Sequence, residues 1–179
     1  MSRKGNGFLL LLLVAAAVFA VIAVVTSDRR MGPGSGQSSD LRQLVAWNNE
    51  MIREHGRGHI ERAELIARKI LSRPAWRSFV PANAVMGSAL AQKGDYAAAE
   101  PFFKAALSGR GSAGPQPAVM NDYADTLRRL GRYGEAETYA RRAVALSGGR
   151  VRLFRQTLAE ILHEAGKNSN ASNSKEEET

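Results

Sequence analysis

The stretch Val80 to Leu107, VPANAVMGSALAQKGDYAAAEPFFKAAL, lies over Pro117 to Val144, PAVMNDYADTLRRLGRYGEAETYARRAV, almost residue for residue. Gly94-Asp95-Tyr96 falls on Gly131-Arg132-Tyr133, Ala99 on Ala136 and Ala106 on Ala143, each pair 37 positions apart (131 − 94, 136 − 99, 143 − 106). Gly94 and Gly131 stand where a first helix must end, because glycine takes the left-handed cap conformation without a Cβ clash. A fixed offset over a whole helix-turn-helix unit predicts a stack of repeats, and stacked repeats commonly present a surface that holds another molecule.

In the first copy the diagnostic places carry Met86, Gly87, Leu90, Gly94, Tyr96, Ala99, Phe103 and Ala106. In the second they carry Tyr123, Ala124, Leu127, Gly131, Tyr133, Ala136, Ala140 and Ala143. This set of small and large residues resembles the tetratricopeptide repeat (TPR), a 34-residue helical hairpin; with the apolar run at residues 8–25 the chain resembles the family's membrane-anchored bacterial type. The physical reading agrees: Gly87 or Ala124 facing Ala99 or Ala136 lets two helices approach closely, while Tyr96 and Tyr133 fill the gap beside the turn. The extra residues between the copies fall in SGRGSAGPQP, residues 108–117, too rich in Gly and Pro for a helix. Pro101 lies inside a second helix, where it removes a hydrogen-bond donor and is expected to bend it locally.

The rest of the chain extends the same pattern. Residues 41–71 place Leu41, Leu44, Val45, Asn48, Met51 and Ile52 on one face, break at Gly56-Arg57-Gly58, and resume with Ile60, Ala63, Ile66, Ala67 and Ile70. This predicts a degenerate first repeat over 41–73 with a turn a residue or two longer than the family's. Trp76 and Phe79 are expected to seal its junction with the next repeat. Residues 151–165, with Leu153, Phe154, Leu158, Ile161 and Leu162 at helical spacing, predict a capping helix that covers the end of the stack. The expected fold is all-α: a short TPR-like α-solenoid over 41–166, made of repeats 41–73, 80–109 and 117–147 and the cap, plus one N-terminal transmembrane helix.

That last element is FLLLLLVAAAVFAVIAVV, residues 8–25, which carries no charge or polar side chain. At about 1.5 Å per residue it can cross a bilayer core of roughly 30 Å. A buried globular helix would not be apolar on every face. The run exceeds the usual signal-peptide core and offers only Val25-Thr26-Ser27 as a weak cleavage site, so it reads as a retained anchor, with cleavage the alternative. The tail of residues 1–7 carries Arg3 and Lys4, and Arg29 and Arg30 follow the span, a near balance for the positive-inside rule. A tail this short fits a single-pass signal anchor with the helical domain on the extracytoplasmic, periplasmic side. Residues 26–40, TSDRRMGPGSGQSSD, read as a flexible linker, and residues 167–179, KNSNASNSKEEET, as a disordered tail.

Composition narrows the chemistry. The chain has no cysteine, which excludes disulfides, thiolate metal sites and a cysteine nucleophile. His55 and His59 are four apart with Glu54, Glu61 and Glu64 nearby, but Gly56 and Gly58 break the helix face that a metal would need. No phosphate loop or Ser/His/Asp context is present, so no catalytic, cofactor-binding or metal residue, no cofactor and no small-molecule substrate is expected, and the chain reads as a non-enzyme. Residues 41–166 hold 19 Lys or Arg against 12 Asp or Glu, densest at Arg128, Arg129, Arg132, Arg141 and Arg142. Interleaved acids and the lack of a recognition module favour solvated helix faces over nucleic-acid binding.

What remains is binding. The family resemblance implies that the first helices of successive repeats line a groove for a protein or peptide partner. Carried onto this chain, that groove shows Ala84, Ser88, Ala91 and Gln92, then Asn121, Asp125, Arg128 and Arg129, then Gln156, Glu160 and His163. It lacks the lysine, asparagine and arginine set by which some relatives clamp a C-terminal carboxylate. The expected function is a membrane-tethered adaptor or scaffold, held to the membrane through residues 8–25 and serving assembly of a cell-envelope complex. An exported, soluble chaperone-like peptide holder and a structural subunit of a permanent complex are the alternatives.

Overall fold

The structure, a computed structural model, describes residues 35–109 and 116–176. Among them seven helices follow in order: α1 (Ser35–Gly56), α2 (Ile60–Leu71), α3 (Val80–Gln92), α4 (Tyr96–Ser108), α5 (Pro117–Arg129), α6 (Tyr133–Leu146) and α7 (Arg152–Glu176), with a 3₁₀ turn at Pro74–Trp76. The described residues contain no strand. The hairpins α1–α2, α3–α4 and α5–α6 stack in sequence, and α7 closes the row against α5 and α6.

The turns are the same object three times. Gly58, Gly94 and Gly131 have φ of 82°, 84° and 74°. In each turn the glycine N–H bonds the carbonyl three residues back at 3.0 Å, in turn that of His55, Ala91 and Arg128. The next N–H, of His59, Asp95 or Arg132, reaches the carbonyl of Glu54, Leu90 or Leu127 at 2.9 to 3.0 Å. This pair of bonds satisfies carbonyls that a helix end leaves orphaned. The first hairpin's turn is therefore no longer than the others. Gly56, read from sequence as part of the break, is the last residue of α1, because one glycine is tolerated in a helix and only Gly58 carries the left-handed backbone.

Equivalent helix contacts are filled by exchanged volumes. Met51, Gly87 and Ala124 occupy one place on α1, α3 and α5; Ala67, Phe103 and Ala140 occupy the facing place on α2, α4 and α6. A Cβ added to Gly87 would lie 2.8 Å from the Phe103 ring, so the glycine is what admits that ring. Ala99, Ala136, Ala63 and Met51 are fully buried. Trp76 is buried edge-on to Trp47 with centroids 6.0 Å apart, and Phe79 packs beside them, which seals the first junction as the sequence indicates.

A polar tie repeats at the same period. Glu64, Glu100 and Glu137 take equivalent places on α2, α4 and α6, each bonded to the base four residues on: Arg68 at 2.8 Å, Lys104 at 2.7 Å and Arg141 at 2.7 Å. The first two also hold the next hairpin, Glu64 through Lys93 and Glu100 through Arg132 at 2.6 Å and the Tyr123 hydroxyl at 3.1 Å. Hydrogen bonds from Lys104, Arg132 and Tyr123 favour the charged form and, outweighing desolvation, hold the Glu100 carboxyl down at about 2.

Two sequence expectations are corrected. α1 begins at Ser35, inside the segment read as a linker, and Asp40 from that extension accepts a hydrogen bond from Arg73 at 3.0 Å. α7 runs to Glu176, through the segment read as a disordered tail. No proline interrupts it, and extending a nucleated helix costs far less than starting one. At Pro101, where the sequence predicts a local bend, α4 remains one continuous helix. The carbonyl deprived of a donor there belongs to exposed Ala97, where water can serve it. Among the described residues no helix is long and apolar enough to cross a membrane. The tail 1–7, the anchor 8–25 and residues 26–34 of the linker lie outside them.

Candidate functional site

Helices α1, α3, α5 and α7 touch in succession, so their free faces form one continuous wall. On α3, half-buried Ser88 receives a hydrogen bond from exposed Gln92 at 3.2 Å. Ser88 also lies 3.4 Å from His55 Nε2, which carries the contact across from α1. Desolvation lowers the His55 pKa, so the ring is neutral at pH 7. His59 instead turns away to Glu54, with Nδ1 2.8 Å from the carboxylate. Among the described residues no group of three His, Cys, Asp or Glu is placed to hold a metal.

The α5 segment differs from expectation at one residue. Arg128, expected on the open groove, is 7 % exposed. It donates to Asp125 at 2.7 and 2.9 Å, bonds Glu164 of α7, and approaches Glu160 of α7 at 3.8 Å. Its guanidinium is thus a strut between α5 and the cap, and its charge is spent on three carboxylates. The physical reason is position: next to last in α5, its long side chain reaches the next first helix. Arg129 remains exposed, as do Gln156 and Glu160, which bond one another at 2.9 Å on α7. The structure thus joins Asp125, Arg128 and Glu160 across two helices, while Ser88 with Gln92 and Gln156 with Glu160 pair within one.

Two polar atoms on this wall are buried without a hydrogen-bond partner among the described residues: Oδ1 of Asn48 and Oδ1 of Asn121. They occupy equivalent places on α1 and α5. A buried acceptor of this kind costs about 1–3 kcal/mol unless a donor arrives. Next to Asn121 lies Asp122, a residue sequence reasoning left among ordinary surface acids. Desolvation pushes the Asp122 carboxyl up to about 7, the Asn121 side-chain bond opposes this, and Asp125 adds to it. Asp122 keeps exposed surface and stands beside other acceptors. The signal available in sequence was the adjacency Asn121-Asp122 with Asp125 one turn on, three acceptors on one side of a helix.

The cap follows the repeat only on the side that has a neighbour. Phe154, Thr157 and Ile161 are buried, whereas Ala159 and Leu162 are exposed. In the preceding repeats those places meet the partner helix of the hairpin, and among the described residues α7 has none.

The search of curated proteins finds no match to the chain. The family model described as Tetratricopeptide repeat matches residues 80–148, which span both clear copies from the start of α3 to the end of α6. With three superposable turns, exchanged core volumes and this match, the segment 80–148 belongs to the tetratricopeptide repeat family, a family of protein-interaction scaffolds.

Proposed function

We propose that this chain is a membrane-tethered TPR adaptor whose α1–α3–α5–α7 wall holds a segment of a partner protein during assembly of a cell-envelope complex. The observation that carries the binding reading is the unpartnered Oδ1 of Asn121 beside Asp122 and Asp125. A buried acceptor without a donor, set beside two carboxylates, suits a ligand that brings donors: backbone N–H groups of an extended segment, or a basic side chain. Ser88 and Gln92 on α3, Asp125 and Arg129 on α5, and Gln156 and Glu160 on α7 flank that point, while Arg128 keeps α5 and α7 in register behind it. No residue is assigned a catalytic role, and neither cofactor, small-molecule substrate nor nucleic acid enters the mechanism. The tether is the apolar run 8–25, which places the domain on the extracytoplasmic side in this reading.

A photo-crosslinking side chain placed in cells at Gln92 or Asp122 tests the wall. Leu65, 66 % exposed on α2, serves as the off-site control. Capture of one protein from Gln92 and Asp122 but not Leu65 is expected. Capture from Leu65 alone, or equal capture from all three, moves the partner to another face. Carbonate extraction of the full chain tests the tether, since an anchored chain stays with the membrane.

A further inference from the structure

The exposed arginines are not spread evenly over the stack. The hairpin topology puts the starts of α3, α5 and α7 and the ends of α2, α4 and α6 at one edge. α1 starts at that edge too, as the Asp40 to Arg73 bond shows. Lys69, Arg77, Arg142, Arg150, Arg152 and Arg155 stand along this edge, all exposed. Among the described residues none of the six makes an ion pair. The one nearby acid, Asp40, is engaged by Arg73. At the opposite edge Arg57, Arg62, Lys93 and Arg132 are each paired with a carboxylate, while exposed Arg53, Arg129 and Lys167 make no ion pair among the described residues. Two large apolar side chains, Leu146 at 45 % and Leu153 at 42 % exposure, lie on the basic edge between these arginines.

We propose that this edge docks on the anionic headgroup surface of the bilayer that holds residues 8–25, so that the stack stands on the membrane by one edge. The proposal rests on the anchor reading above. Charge complementarity and chain length name the occupant. Nine residues, 26–34, separate the apolar run from Ser35, so the entry point of α1 is confined within roughly 30 Å of the membrane by chain length alone. The edge that entry point belongs to carries the larger number of unpaired cations, with Leu146 and Leu153 exposed among them, a combination that suits headgroups and the acyl boundary. Each cation beside an anionic surface is worth roughly a fivefold change in the contact equilibrium.

The chain's two tryptophans supply the readout, since Trp47 and Trp76 both lie toward this edge. Full-length protein is reconstituted in phosphatidylcholine vesicles with a dansyl headgroup acceptor, with and without one third phosphatidylglycerol. Energy transfer from tryptophan is expected to rise with phosphatidylglycerol and to fall back in 1 M salt, where the screening length is about 3 Å. The variant Arg77→Gln/Arg142→Gln/Arg152→Gln is expected to lose that rise, while Arg53→Gln/Lys167→Gln, at the other edge, keeps it. Equal transfer in both lipids by a chain that resists carbonate extraction overturns the docking and leaves the anchor standing. A chain released by carbonate overturns both. A rise insensitive to salt in the native chain also overturns docking through charge, whatever the variants do.

Discussion

The first hairpin and the second close the same turn with opposite packing. α1 and α2 set Met51 against the place of Ala67; α3 and α4 set Gly87 against Phe103, one large and one small partner in each case. The backbone geometry is held by Gly58 and Gly94, while side-chain volume is conserved only as a sum. The repeat is therefore a rule about turns and total volume, and a copy can look degenerate by residue type while remaining intact in structure.

The strongest way to break this comparison is to swap the volumes. Phe103→Ala removes a ring that is 1 % exposed and is expected to cost about 3–5 kcal/mol. Gly87→Met alone drives a side chain into that ring and is expected to cost about 1–3 kcal/mol or more. The double variant copies the Met51/Ala67 arrangement and should recover much of the loss. Urea denaturation of all three measures the coupling; strict additivity would show that the two hairpins are not interchangeable packings.

The second contrast lies between the two ends of the wall. His55 and Arg128 are equivalent residues, and each reaches the next first helix. His55→Leu removes a neutral 3.4 Å contact and is expected to change stability by under about 0.5 kcal/mol at pH 7. Arg128→Leu leaves Asp125, Glu160 and Glu164 facing one another and should cost about 1–3 kcal/mol, reduced from a fully buried pair because those carboxylates are 36 to 45 % exposed. The first of these contacts also depends on pH. His55 has a lowered folded pKa, so in the native chain its contribution is present above about 6.5 and is lost as pH falls through the folded value. Hydrogen exchange at pH 7 and pH 5 should therefore show loosening of α1 against α3 but not of α5 against α7.

A third test concerns the turns themselves. A Cβ at Gly58, Gly94 or Gly131 meets nothing within 4 Å, so alanine there is opposed only by the positive φ. Each substitution should cost about 1 kcal/mol, and the three costs should agree within experimental error in thermal melts. A Gly58→Ala cost near zero would separate the first hairpin from the other two.

Much of this was legible in sequence because glycine at a left-handed cap leaves a fixed mark. Gly94 and Gly131 gave the period, and Ala99, Ala136 and Phe103 gave the facing surfaces. Gly56 obscured the first turn, since two glycines two residues apart do not say which one carries the positive φ. The start of α1 and the end of α7 were hidden for another reason: polar residues without proline are compatible with either helix or coil, and residues 167–176 show no periodicity to decide. Among site residues, burial was the illegible part. Arg128 and Arg129 are adjacent arginines near a helix end, and only the placement of α7 makes the first a strut and leaves the second exposed. The unpartnered Asn48 and Asn121 oxygens were hidden in the same way.

The smallest effects expected are at the repeated glutamates, where the comparison can be graded. Glu100 holds Lys104, Arg132 and Tyr123; Glu64 holds Arg68 and Lys93; Glu137 holds only Arg141 among the described residues. The pKa values of Glu64 and Glu100 are lowered, chiefly by their hydrogen bonds to lysine. A lowered folded pKa means stability that is present above the unfolded value near 4.5 and is lost as pH falls, for Glu100 down to about 2. Glutamine at each site keeps the shape and removes the charge. Glu100→Gln should cost about 1 kcal/mol at pH 7, Glu64→Gln somewhat less, and Glu137→Gln close to nothing, because a single exposed ion pair contributes little. The Glu100→Gln deficit should hold from pH 7 to pH 5 and disappear by about pH 2. A deficit that persists at pH 2 would mean that the site's shape, and not its charge, ties the second hairpin to the third. Equal deficits at all three glutamates would mean that the bond within each helix matters and the reach to the next hairpin does not.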